Sequence, residues 1–251
     1  MNSSLLRKEL SGEAYNQERL HPGFGEKLYL HLSDLRMAMD QAIRRGNLRV
    51  LDYGCGGSPY RPLFADAQYK RADFLDCADL DYKLSEDSRV AEKNCTFDFV
   101  LSTQVLEHVT NPAVYLAECH RLLEPGGELA LTTHGVFEDH GCPYDFYRWT
   151  ADGLKRTLEA NGFEVIRLQK LTTGPRAVIF LLEQFHRTLS ASRRTLFGLF
   201  LWLLRKGIRR HKEYLHSQCD KAFAANRLVD AAQAGHTLYI GLFAVCRKLE
   251  R

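Results

Sequence analysis

Apolar positions recur at helical spacing early in the chain: Leu28, Leu32, Leu35, Met39 and Ile43 share one face before Gly46-Asn47 ends the run. Residues 1–47 therefore read as an N-terminal helical cap. The pattern then changes to short apolar runs. Residues 48–53, 69–74 and 96–102 read as strands, the third leading into an apolar stretch at 105–109. A helix over 112–124 carries Pro112 in its first turn and is closed by Pro125-Gly126-Gly127, after which 128–133 returns to strand. Thr150 marks the next helix start and Asn161-Gly162 its stop; 163–171 and 237–246 supply the last two strands. Between those two strands, 172–236 reads as an inserted helical subdomain. Strands alternating with helices predict an α/β fold with a mostly parallel sheet covered on both faces.

Composition narrows this picture. A chain of 251 residues, 45% hydrophobic, can bury one full α/β core with an insertion to spare. The division expected is a cap over 1–47 and one domain over 48–251. With 34 basic and 31 acidic residues the net charge of +3 is too balanced to point to nucleic acid. The seven cysteines stand singly, without CxxC pairs or metal-ligand spacing, and read as reduced thiols with no metal site. The polar start lacks the roughly 7–15 apolar residues of a signal peptide. No run reaches the roughly 18 residues that cross a bilayer, so the expected compartment is the cytoplasm.

Candidate chemistry begins where the first strand ends, in Asp52-Tyr53-Gly54-Cys55-Gly56-Gly57. Glycines at the carboxyl end of a parallel strand permit a sharp turn and close approach of a ligand to the backbone. A dinucleotide fingerprint needs a third small residue where this chain has Pro59, and proline cannot continue into the helix interior. A nicotinamide-dependent oxidoreductase is therefore ranked low. Asp73, about twenty residues on, can accept both hydroxyls of a ribose. Its competing role is a solvated loop acid.

Three segments in order, VLDYGCGGSPY at 50–60, FDFVLSTQVLEHV at 97–109 and RLLEPGGELALTT at 121–133, resemble the class I S-adenosylmethionine-dependent methyltransferases. The resemblance covers about residues 48–171 and the final strand. It implies a Rossmann-like, seven-stranded sheet whose last two strands form an antiparallel pair at one edge. It implies S-adenosylmethionine as cofactor, with Asp52, Gly54, Cys55, Gly56, Asp73 and Gln104 beside it and His108 as a further neighbour. The adenine contact, expected within 79–90, stays unassigned.

The sulfonium of such a cofactor already activates its methyl, so the protein aligns the acceptor and, for a hydroxyl, removes a proton. Residues 134–149 (HGVFEDHGCPYDFYRW) follow the strand at 128–133 and are dense in titratable and aromatic groups. His140, flanked by Asp139 and Gly141, is the candidate base, with Asp145 second. A structural turn built from Tyr144, Asp145, Tyr147 and Arg148 ranks ahead of catalysis for Asp145 and Arg148. Segments like PYDFYRWT occur in some bacterial methyltransferases of the group.

One motif remains outside this scheme. TLFGLFLWLL at 195–204 is flanked by seven basic residues, with no acid, between 193 and 212. A buried core or dimer helix is the first reading; a segment resting in an anionic membrane surface at the inner face is the second. The activity expected is O-methylation of a small or lipid-linked acceptor such as a glycan sugar, with a non-catalytic scaffold or partner subunit as the alternative. Nucleic acid is not expected as acceptor, since the basic residues gather in the apolar insertion and no Asn-Pro-Pro-Tyr signature follows the strand at 96–102. Nothing in the sequence sets the oligomeric state.

Overall fold

The apolar run after Gly46 forms β1 (Arg49–Tyr53), buried along nearly its whole length at the middle of one sheet. In the computed structural model the described residues are 12–43, 46–74, 79–85, 88–140, 144–185, 192, 194–233, 235 and 237–249. Around β1 lie β2 (Gln68–Asp73), β3 (Tyr82–Lys83), β4 (Phe97–Thr103), β5 (Leu123–His134), β6 (Phe163–Thr173), β7 (Leu228–Asp230) and β8 (Tyr239–Lys248). Their order is β3-β2-β1-β4-β5-β8-β6-β7. The pairs from β3 to β5 are parallel, whereas β8 runs antiparallel to β5 and β6, and β7 antiparallel to β6.

This is the doubly wound α/β arrangement expected, with eight strands in place of seven. The antiparallel β6–β8 pair is present, but it is not the edge. β6 continues two residues beyond the expected end, and its outer backbone groups pair with β7 through Gln169, Lys170 and Leu171. An unpaired edge exposes a row of backbone donors and acceptors, which the return of the chain at 228–230 covers. The stretch 172–236 is thus not wholly helical.

Among the described residues the α-helices are α1 (Glu13–Leu20), α2 (Tyr29–Ala42), α3 (Pro112–Leu122), α4 (Ala151–Ala160), α5 (Gly174–Phe185), α6 (Leu196–Arg210) and α7 (Lys212–Ala222). Among its described residues the cap forms two helices, because Pro22 and Gly23 interrupt it. α3 ends two residues earlier than expected, and β5 starts at once with Leu123 paired to Phe97. One core cluster joins β1, β4 and β5 to α3 and α4, with Leu116, Leu122, Leu154 and Leu158 fully buried. A second lies under α2, where Leu35, Ala38 and Met39 meet Val50, Phe99 and Phe243. A third fixes the insertion to the cap: Tyr29 and Leu30 pack with Ala177, Phe180, Cys219 and Ile240. The five described cysteines, Cys55, Cys95, Cys119, Cys219 and Cys246, form no disulfide.

Of the first reading of 195–204, a buried core or dimer helix, the core half fails: the chain's own core does not cover this face. Leu196, Phe197, Leu199, Phe200 and Leu203 of α6 are exposed, and of that helix only Gly198 and Ile208 are buried. No helix among the described residues is long and apolar enough to cross a membrane.

Candidate active site

Strand order reverses between β1 and β4, the point at which open α/β sheets form a crevice at their carboxyl edge. Gly54 follows β1 there with φ of +82°, and a Cβ on it would come within 2.6 Å of Val105, just past β4. Only glycine fits this turn without strain or clash. The backbone N–H groups of Gly54 and Cys55 donate to the Ala72 carbonyl, at 2.9 and 3.1 Å, and so tie the loop to the end of β2. At that same end the Asp73 carboxylate accepts from the Gly56 N–H at 2.6 Å. Asp73 is therefore a buried acid fastened to the glycine loop, not a solvated one. Asp52 is buried below it and accepts from the Tyr69 hydroxyl at 2.6 Å; burial pushes its carboxyl up to about 6. Burial likewise pushes the Cys55 thiol well up, which leaves it uncharged. The cradle closed by Val105 and the acid at the end of β2 fit an adenosyl ligand, which Asp52, Gly54, Gly56 and Asp73 would hold.

Gln104 closes the crevice from β4. Its φ of 55° is a left-handed conformation unusual for a side-chain-bearing residue, maintained by its N–H donating to Thr132 at 3.0 Å. Such strain persists only where the surroundings over-determine it. The amide nitrogen Nε2 lies 3.0 Å from His31 Nε2 and 3.5 Å from His134 Nε2. Gln104 thus faces a buried cluster that the sequence pattern did not single out. Burial pulls His31 down to about 3 and His134 well below the usual range, and both stay neutral. Beside them Glu107 is fully buried, its Oε2 accepting from the Thr133 hydroxyl at 2.8 Å. Its carboxyl is pushed up to about 7. Glu107, His134 and His140 bring potential ligand atoms within 4.8 Å of one another. Within this group His134 Nε2 lies 3.2 Å from Glu107 Oε1.

The segment 144–149 is laid across the ends of β4 and β5. The N–H groups of Phe146 and Tyr147 donate to the Glu107 carbonyl at 2.8 and 3.2 Å, and Trp149 N–H donates to the His134 carbonyl at 2.8 Å. Arg148 grips Asp145 with two bonds of 2.6 Å, and the same carboxylate accepts from the His140 N–H at 2.9 Å. These bonds hold the Asp145 carboxyl down to about 2. The imidazole of His140 is partly exposed and ringed by His108, His134 and Phe137, with centroids 4.9, 5.0 and 5.2 Å away. Its Nδ1 faces two oxygens, Glu138 O at 3.2 Å and Asp145 Oδ2 at 3.6 Å. Oxygen acceptors favour the tautomer with the proton on Nδ1 and the lone pair on Nε2. His108 bonds the Tyr144 carbonyl through Nδ1 and stands beside His140. Gly141, expected to flank the base, lies outside the described residues.

Comparison with known proteins agrees with this geometry. A family model described as a methyltransferase domain matches residues 24–168. The chain belongs to the class I S-adenosylmethionine-dependent methyltransferase family. It is 30% identical over 135 residues to the ubiquinone biosynthesis O-methyltransferase of Parvibaculum lavamentivorans, covering 48% of this chain and 46% of the relative. With the Maricaulis maris protein of the same name it shares 34% over 102 residues, covering 34% and 40%. The match spans about half the length of these curated relatives. Among solved structures, the cyclase SpnF superposes with a TM-score of 0.54 at 16% identity, covering 96% of this chain and 95% of that one. A methyltransferase structure from Bacillus halodurans gives 0.52 at 18%, covering 87% and 100%. At these identities the likeness is one of fold.

Proposed function

We propose that the protein transfers a methyl group from S-adenosylmethionine to a hydroxyl of a small or lipid-linked acceptor, with His140 as the base. The observation that carries this reading is the setting of His140: Nδ1 faces backbone and carboxylate oxygens while Nε2 is left to take a proton. When bound, the sulfonium supplies an already activated methyl; Asp52, Gly54, Gly56 and Asp73 hold its carrier, and His140 removes the proton from the acceptor oxygen. Asp145 positions His140 through the backbone bond at 2.9 Å and is itself too acidic to serve as base. Burial keeps His31 and His134 neutral beside the edge where the acceptor oxygen is to react. The similarity to ubiquinone biosynthesis O-methyltransferases favours oxygen as the acceptor atom, and both a ring hydroxyl and a glycan hydroxyl suit this base.

The test is labelled methyl incorporation from S-adenosylmethionine into panels of phenolic and glycosyl acceptors, free and lipid-linked. His140→Gln is expected to lower kcat about 100-fold or more, the usual worth of a positioned base, with calorimetric affinity for S-adenosylhomocysteine unchanged. Asp73→Ala is expected to weaken that affinity at least ~10-fold. Full activity of His140→Gln would remove the base assignment. Failure of the folded protein to bind S-adenosylhomocysteine would return the scaffold alternative to first place.

A further inference from the structure

We infer that α6 is a docking surface for an anionic lipid bilayer, lying in the headgroup plane. The helix is well formed: Thr195 caps it, its Oγ1 accepting from the Gly198 N–H at 3.0 Å. Fifteen residues give a rod of about 22 Å, too short to span a bilayer but suited to lying along one. Leu196, Phe200 and Leu203 recur at the i, i+4, i+7 spacing of one face and are 89%, 58% and 54% exposed, with Phe197 beside them at 66%. An apolar surface of this kind on a helix is uncommon unless something covers it. Trp202, half-buried, carries Lys206 over its ring at 5.0 Å, an aromatic–cation pair of the sort placed at headgroup depth.

Charge selects the occupant. Arg194 precedes the apolar face, and Arg205, Lys206, Arg209 and Arg210 follow it, all exposed, with no acidic residue between 193 and 212. Lys212 is excluded from the count because its ammonium donates to the Glu26 carbonyl at 2.9 Å. A second copy meeting this face about a two-fold axis would bring two such basic sets together, since a symmetric interface apposes the same patch to itself. An anionic surface complements the same charges, each basic residue adding attraction that salt screens. The exposure and charge of α6 stand independently of the proposed chemistry.

The test is co-sedimentation of the full chain with vesicles of phosphatidylcholine alone or with about a third phosphatidylglycerol. Binding is expected only to the anionic vesicles, with loss on raising salt to about 1 M, where the screening length falls to about 3 Å. Phe200→Ser with Leu203→Ser, and separately a variant with Arg205, Lys206, Arg209 and Arg210 changed to Glu, should each abolish it, the latter by at least ~100-fold. These side chains are exposed, so an unchanged melting temperature checks the fold of both variants. Equal binding to neutral and anionic vesicles, or no binding by wild type, overturns the proposal. So does a dimer in light scattering that Phe200→Ser with Leu203→Ser dissolves while vesicle binding is absent.

Discussion

At the scale of single residues, Asp52 gives the most direct pH test. Its carboxyl sits at about 6 when folded, against roughly 3.9 in an unfolded chain. Between those values the folded state binds more protons than the unfolded one, so this group's contribution to stability falls as pH rises through the window. Asp52→Asn keeps an oxygen for the Tyr69 hydroxyl and removes the titration. Its stability relative to wild type should therefore climb between about pH 4 and 7, by up to ~3 kcal/mol, read from denaturation at several pH values. A difference that stays flat with pH would show that Asp52 is not held protonated by burial. Gly54→Ala, in turn, meets both a positive φ and Val105, and should lose S-adenosylhomocysteine affinity or about 1–3 kcal/mol of stability, measured by calorimetry and melting. Gly54, Gly56 and Asp73 were legible in the sequence because a strand end, two glycines and an acid at fixed distance form a local signal. Glu107 and His31 were not. Each sits inside an apolar run, in LEHV and in YLHLS, where a lone polar residue gives no sign of which distant group it will face.

Elements were legible where both ends carry their own chemistry. α4 begins at Thr150, whose Oγ1 accepts from the Gly153 N–H at 3.1 Å, and stops before Gly162 with φ of +86°. Its inward face is Leu154 and Leu158, both fully buried. Thr150→Ala should cost about 1 kcal/mol and Leu154→Ala about 2–5 kcal/mol in chemical denaturation. A Leu154→Ala cost below that of the cap would mean that the core collapses freely around the gap. β3 and β7 escaped the same reading because two or three residues cannot display alternation. β7 exists because β6 leaves an edge that the chain passes on its way to β8, which is a property of topology and not of Leu228–Asp230 themselves. The apolar run of α6 misled for a related reason. Periodicity says that a face must be covered, and says nothing of whether the cover belongs to the same molecule.

At the scale of the whole molecule, the insertion is bolted to the cap. Arg176 of α5 is fully buried and donates to Asp34 of α2 at 2.7 and 2.9 Å and to Asp220 of α7 at 2.6 Å. Arg227 adds a contact to Asp34 at 2.8 Å. From α5, Phe180 reaches the rings of Phe137 and His31, at 5.9 and 6.0 Å, and Phe137 in turn stacks on His134 and meets His140. The glycine loop lies on the other side of β4 from this chain of contacts. Arg176→Met would leave Asp34 with Arg227 and Thr172 alone, and breaking a buried pair from one side costs about 3 kcal/mol. The variant should also loosen the wall around His140, so kcat should fall several-fold while the S-adenosylhomocysteine Kd stays within about 2-fold, a change worth well under 1 kcal/mol. Stopped assays and calorimetry on the same preparation separate the two. A Kd that rises in step with the loss of kcat would mean that cap, insertion and glycine loop respond as one unit, and that the acceptor side has no independent mechanical support.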